Sequence, residues 1–324
     1  MRTVFLGTSE FAAAVLERLA ASDHRPALVL SRPDRPRGRG RRMAAPPVAE
    51  RAHALEIELE QPERVNEPPV VERIAQARPD VVVVCAFGAL IKEPLLSAHE
   101  LLNVHPSLLP RWRGAAPIER AIIAGDERTG VSIMRLTAGL DSGPVCLTAA
   151  EPIASDDTYG SLAARLQAAG GELLVCALDL IAVGEPPVFA EQVQAGVTYA
   201  EKIGPEDRLL DPARPAAELE RTVRALYPHI GARVPLAEGE LLGVRRARVA
   251  EDEVPDGGEP ADGGEPGIRG IQPGALAAVG SPPTRLLYGA CDRPLELLEV
   301  QPPGGRAMDA DAYLRGHGQT LPRR

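Results

Sequence analysis

The sequence predicts an α/β protein: a doubly wound, mostly parallel sheet followed by a small C-terminal β-barrel. Three observations carry that prediction. Residues 3–6 are a short apolar run that breaks at Gly7-Thr8-Ser9 and passes into a segment with Phe11, Val15 and Leu19 at helical spacing. A strand, a glycine turn and a helix in that order is how a doubly wound sheet begins. Residues 80–86 hold an unbroken β-branched run, Val81-Val82-Val83-Val84, as strands covered on both faces do. Beyond residue 240 the apolar runs are short and punctuated by Gly and Pro, the pattern of a small barrel. At 324 residues the chain has room for two domains, each with its own core.

Taken in order, the first helix is expected to be capped by Thr8 or Ser9, whose hydroxyls accept from free amides of the first turn. Leu101-Leu102-Asn103-Val104-His105 and residues 131–136 are further buried strands. Asp156-Asp157-Thr158 opens a long helix running to Ile181, its acidic and hydroxyl-rich start suited to the free amides and the dipole. Gly184-Glu185-Pro186-Pro187 begins a stretch without period that ends near residue 203 and reads as an ordered strap. A helix follows over residues 215–226. Runs at 241–242, 244–249, 275–279, 286–288 and 295–300 are the barrel strands. The expected division is 1–184, 185–203 and 204–324. Residues 251–267 hold seven acidic residues, five glycines and no basic residue, a solvated, mobile loop.

The hydrophobic fraction of 44% and charged fraction of 25% are those of a soluble globular protein. Val4-Phe5-Leu6 is too short for a signal-peptide core and no run reaches bilayer length, so a cytoplasmic protein is expected. Cys85, Cys146, Cys176 and Cys291 are scattered in apolar contexts and read as reduced core residues. The six His residues are dispersed, no ligand cluster stands out and no metal is expected. The opening turn lacks a full Gly-x-Gly-x-x-Gly, which argues against a dinucleotide. A net charge of −9 argues against a general polyanion binder. Residues 31–42, however, carry six Arg against one Asp, so local charge decides that question.

The densest chemistry is Asn103-Val104-His105-Pro106-Ser107-Leu108-Leu109-Pro110-Arg111-Trp112-Arg113-Gly114. Residues two apart on a strand share a face, so Asn103 and His105 project together from its carboxyl end. An amide donor beside an imidazole can stabilise an oxyanion and manage a proton. Gly139-Leu140-Asp141-Ser142-Gly143 puts a carboxylate on a turn that can return toward the same strand ends, where Asp141 could orient His105. By spacing alone the structural reading stands ahead: a strand end with satisfied polar groups, and a turn carboxylate.

Asn103-x-His105-x-Ser107-Leu108-Leu109-Pro110, followed by Gly114 and Asp141, resembles the signature of the folate-dependent formyltransferases. The resemblance implies that Asn103, His105 and Asp141 are catalytic, that Ser107, Leu108, Leu109 and Pro110 lie against the pterin-bearing cosubstrate 10-formyltetrahydrofolate, and that the fold is Rossmann-like. Gly7-Thr8-Ser9-Glu10-Phe11, residues 111–117, Thr198-Tyr199-Ala200-Glu201-Lys202-Ile203 and residues 301–316 resemble the branch of that family that acts on methionyl-tRNA. That branch implies methionyl initiator tRNA as acceptor and a second domain like an oligonucleotide-binding barrel that contacts it. It also carries an Arg- and Gly-containing loop near residues 31–42, which makes Arg37, Arg39, Arg41 and Arg42 the expected tRNA contacts, with Arg39 the match to its discriminating arginine. Without the resemblance that segment reads equally as a solvated loop. Arg245, Arg246 and Arg248 are reasonable phosphate partners on the barrel or plain solvent-facing surface. A monomer is the expected state.

Overall fold

The computed structural model describes residues 1–37, 40, 42–236, 239–251, 271–280 and 283–317, and these divide into two compact units. One unit comprises residues 1–118, 127–153 and 161–202; the other comprises residues 119–126, 154–160 and the C-terminal part from residue 203.

In the first unit β1 (Thr3–Gly7) is buried throughout. Gly7 is required where the strand meets its helix, because a Cβ there would lie 2.6 Å from the Phe5 ring and 2.9 Å from Ala12 Cβ. Ser9 caps α1 (Glu10–Ala20), its Oγ accepting from the Ala12 amide at 3.3 Å. Phe11, Val15, Leu16 and Leu19 form the buried face of that helix, as the 3.6-residue period requires. β2 (Pro26–Leu30) leads into a two-stranded antiparallel ribbon, β3 (Arg35–Arg37) and β4 (Arg42–Ala44), where a loop was expected. Next come α2 (Pro47–Ala54), β5 (Leu59–Glu60), α3 (Pro68–Gln76), β6 (Val81–Cys85), the short α4 (Leu95–Ala98) and β7 (Leu101–His105). After β8 (Arg113–Gly114) and α5 (Pro117–Ala124) the chain runs through β9 (Arg128–Arg135), β10 (Val145–Pro152), α6 (Tyr159–Ala182) and β11 (Tyr199–Ala200).

The central sheet has the order β10-β9-β7-β6-β1-β2-β5. The five strands from β7 to β5 run parallel, while β9 lies antiparallel to β7 and β10 antiparallel to β9. A short connection between β9 and β10 permits only the antiparallel arrangement. β6 and β7 are buried on both faces. α6 comes close to β7 at Gly170, where a Cβ would stand 3.2 Å from Val104 and 3.5 Å from Val131. That helix is long and apolar enough to cross a membrane by length and composition, but half of its apolar window is buried in the fold. Cys85 belongs to the core and its thiol is pushed up by burial, whereas Cys176 and Cys291 are exposed. An apolar sequence context had placed both inside; Cys176 instead lies on an outward face of α6.

In the second unit α7 (Ala216–Leu226) packs on a six-stranded antiparallel sheet of β12 (Ala232–Pro235), β13 (Leu241–Val249), β14 (Leu276–Val279), β15 (Arg285–Tyr288), β16 (Leu295–Gln301) and β17 (Met308–Asp309), closed by α8 (Ala310–His317). The order β12-β13-β16-β15-β14, with β17 also on β16, makes a curled half-barrel. β13 is one nine-residue strand through Gly243, which sits against Gln301 of β16 and does not break the ladder. Fully buried Tyr288 donates to the Leu210 carbonyl at 2.8 Å, and burial pushes its phenol up to about 12.

Glu296 is 5% exposed on β16. Burial alone would raise its carboxyl, but hydrogen bonds from Arg285 (2.9 Å) and Arg248 (3.0 Å) outweigh that and hold it below the ordinary range. A depressed folded-state value stabilises above the unfolded value, and that stability is lost as pH falls through the folded one. Glu296→Gln is therefore expected to be less stable than the parent at neutral pH. The difference should shrink as pH falls, as read by thermal unfolding across an acid series.

Candidate active site

β7 brings the first two candidate residues to one place. It lies between β6, with Val84 opposite Asn103, and β9, with Met134 opposite Asn103 and Ser132 opposite His105. The period of two sends both side chains from the same face at the carboxyl end of the strand, where open α/β sheets leave room for ligands. Asn103 is 7% and His105 4% exposed. Among the described residues none hydrogen-bonds the Asn103 carboxamide.

His105 Nε2 lies 2.8 Å from the Trp112 carbonyl. A carbonyl only accepts, so Nε2 carries the proton and Nδ1 holds the lone pair of the neutral ring. Asp141 Oδ2 stands 3.7 Å from that Nδ1. This is too long for a hydrogen bond but within ion-pair range once the ring takes a second proton. The same Oδ2 accepts from the Gly114 amide at 2.8 Å. The Asp141 carboxylate is thus tied to the loop that follows β7, and the structure brings Asn103, His105 and Asp141 together.

That loop is held from outside. Trp112 N–H donates to Thr198 Oγ1 at 2.8 Å, Arg113 N–H to the Thr198 carbonyl at 2.9 Å, and Ala115 N–H to the Ala200 carbonyl at 2.7 Å. β8 and β11 pair in parallel, Gly114 opposite Ala200. Gly114 has φ +121°, and a Cβ there would meet the Ala200 carbonyl oxygen at 2.7 Å. Gly114→Ala is therefore expected to lower stability by about 1–3 kcal/mol and to reduce turnover by dragging the Asp141 partner aside. Thermal unfolding and steady-state rates check both halves of that expectation.

Of the segment after His105, Ser107 is fully buried, and its Oγ donates to the Arg111 carbonyl at 2.6 Å. Ser132 Oγ donates to the Ser107 carbonyl at 2.7 Å and accepts from Leu109 N–H at 3.2 Å. Leu108, Leu109 and Pro110 are half-buried and offer an apolar wall. Sequence reading passed over residues 86–90, the loop leaving β6 beside β7. Thr8 Oγ1 anchors it on the Phe87 carbonyl at 2.8 Å, Ala86 and Gly88 adopt positive φ, and Leu90 is 63% exposed. The signal for it was the end of the β-branched run at Cys85-Ala86.

The basic segment stands on the ribbon, with Arg37 opposite Arg42 and Arg42 exposed; Arg39 and Arg41 lie outside the described residues. Arg35 of the ribbon pairs with Glu63 at 2.7 Å. Most of the acidic stretch at 251–267 also lies outside the described residues.

Residues 1–178 match the family model described as formyl transferase, and residues 202–318 match the formyl transferase C-terminal domain. The chain is 42% identical over 321 residues to a methionyl-tRNA formyltransferase of Halorhodospira halophila, covering 97% of this chain and 96% of that one. It is 41% identical to the methionyl-tRNA formyltransferase of Methylococcus capsulatus, covering 98% and 97%. Among solved structures it resembles HypX of Aquifex aeolicus in complex with tetrahydrofolic acid. The TM-score is 0.62 at 17% identity, with all of this chain matched onto 48% of that one. At that identity the likeness is one of fold.

Proposed function

The chain belongs to the formyltransferase family, among its methionyl-tRNA enzymes, and from that premise we propose how its residues move the formyl group of 10-formyltetrahydrofolate to the α-amino group of methionyl initiator tRNA in translation initiation. The observation that carries the assignment is one strand end presenting an unclaimed amide donor, Asn103, beside an imidazole whose lone-pair nitrogen faces a carboxylate. The donor set fits a formyl carrier of this kind: a hydrogen-bond donor for the formyl oxygen, a proton acceptor, and half-buried apolar groups for a flat ring.

The amine attacks the formyl carbon, its N–C bond forms, and the carbonyl electrons move onto oxygen. Asn103 donates to that oxyanion. His105 Nδ1 takes the proton the nitrogen sheds, and Asp141 meets the imidazolium that results. On collapse the bond to the folate nitrogen breaks and His105 returns the proton to that leaving nitrogen. No bond to the protein forms at any step.

Ser107, Leu108, Leu109 and Pro110 line the folate side in this reading. The Ser107 hydroxyl shapes the turn, since it is spent on Arg111, while the three apolar residues supply contact. Arg37, Arg39, Arg41 and Arg42 take tRNA phosphates. The working division is a catalytic domain, 1–184, a strap, 185–203, and a tRNA-binding barrel, 204–324, in a cytoplasmic monomer. Arg42→Ala is expected to raise KM for tRNA, to leave kcat at saturation unchanged, and to lower the salt slope of binding by about one; filter binding across a salt series reads this.

The test of the function is transfer of labelled formyl to charged initiator tRNA, with elongator methionyl-tRNA and glycinamide ribonucleotide in parallel. Selective labelling of the initiator supports the assignment. Labelling of the small amine alone overturns the tRNA reading while leaving the folate chemistry intact.

A further inference from the structure

Gln192 lies in the stretch after α6 where the sequence has no period, yet its side chain joins both loops of the site. Its Oε1 accepts from Arg113 Nε at 3.0 Å and from Arg113 Nη2 at 2.8 Å. Its Nε2 donates to the Asp141 carbonyl at 2.8 Å and to the Gly143 carbonyl at 2.7 Å. Both amide protons and both oxygen lone pairs are thereby used. Arg113, 5% exposed, directly follows Trp112, whose carbonyl holds the His105 ring. Asp141 supplies the carboxylate that faces the other side of that ring. One carboxamide therefore links the chain neighbour of the residue that orients the imidazole to the residue that meets its charge. Both loops need such a tie, because Trp112 and Asp141 hold left-handed backbone at φ +63° and +42°, which non-glycine residues keep only when their surroundings enforce it. Gln192 is anchored in turn by two backbone hydrogen bonds between Val145 and Ala190, each 2.9 Å.

We propose that Gln192, with Arg113 as its partner, is a positioning residue for formyl transfer: it sets the place of the Asp141 carboxylate relative to His105. This rests on the reading of His105 and Asp141 as the catalytic pair, and Gln192 acts through them rather than on either substrate. Its chemistry is specific. A glutamate of the same size would keep the Arg113 contact but turn a negative oxygen toward two carbonyls.

The experiment compares the full-length parent, Gln192→Ala, Gln192→Glu, Asp141→Asn and the Asp141→Asn/Gln192→Glu double variant. For each, kcat, both KM values, the pH profile of kcat and the thermal midpoint are measured. Each Gln192 variant is expected to lose about 10- to 100-fold in kcat, to hold both KM values within about threefold, and to displace the pH profile. In the Asp141→Asn background the same change should cost less than about twofold, because residues acting as one unit are not additive. Gln192→Glu retains the Arg113 pairing and so keeps the comparison valid if Gln192→Ala fails to fold. A Gln192→Glu enzyme with parental kcat overturns the proposal, as does a loss that multiplies in full onto that of Asp141→Asn. Parental kcat in Asp141→Asn itself overturns the catalytic pair and the proposal with it, an outcome told apart by the single variant.

Discussion

Replacing His105 with alanine is expected to lower kcat by roughly 10²- to 10⁴-fold, the range for a positioned acid–base group, with both KM values within about threefold of the parent. The size of the effect follows from how the ring is held. Nε2 is committed to the Trp112 carbonyl at 2.8 Å, so the imidazole cannot rotate and Nδ1 is the basic nitrogen offered to the reaction. Asp141 at 3.7 Å is placed to meet the charge created there. A buried site has no bulk water to replace that group, and His105 is 4% exposed. His105→Gln, which can still donate to the Trp112 carbonyl but cannot shuttle a proton, is expected to be as slow as the alanine variant. Parental pH dependence in either variant would count against His105 as the proton carrier.

Asn103→Ala is expected to cost about 10²- to 10³-fold in kcat, the range for loss of one oxyanion donor. The fold should be indifferent to it. The carboxamide has no hydrogen-bond partner among the described residues, so its removal leaves no protein group stranded. Thermal unfolding should move little, while Asn103→Asp, which turns a charge toward a developing oxyanion, should be slower than the alanine variant. A loss of stability with parental kcat would assign Asn103 to the fold instead.

Much of the sheet was legible because its residues obey one period at a time. The glycine turn between β1 and α1, the β-branched run of β6 and the Asn103/His105 pair on β7 each follow from local pattern. Asp141 was a modest signal by its place on a glycine-flanked turn and gained its weight from the family resemblance, since its link to Gly114 crosses 27 residues of sequence. The Trp112 carbonyl escaped because it is a backbone group, present whatever the side chain. Gln192 escaped because its partners lie 49 and 51 residues away at Gly143 and Asp141 and its own neighbourhood has no period. β3 and β4 were hidden by the Arg, Gly and Pro content of residues 31–42, which reads as loop although the backbone pairs from Arg35 to Ala44. β10 was missed because its burial alternates along only part of its length and its sequence is rich in small residues.

The mechanism is tested most directly by single-turnover formylation of methionyl initiator tRNA by the Asn103→Ala/His105→Ala double variant, with donor and acceptor both saturating and both affinities measured alongside. It predicts that the complex forms with near-parental affinities and that the chemical step falls by at least about 10³-fold. A double variant that transfers formyl within about tenfold of the parental rate contradicts it and moves the chemistry away from the end of β7.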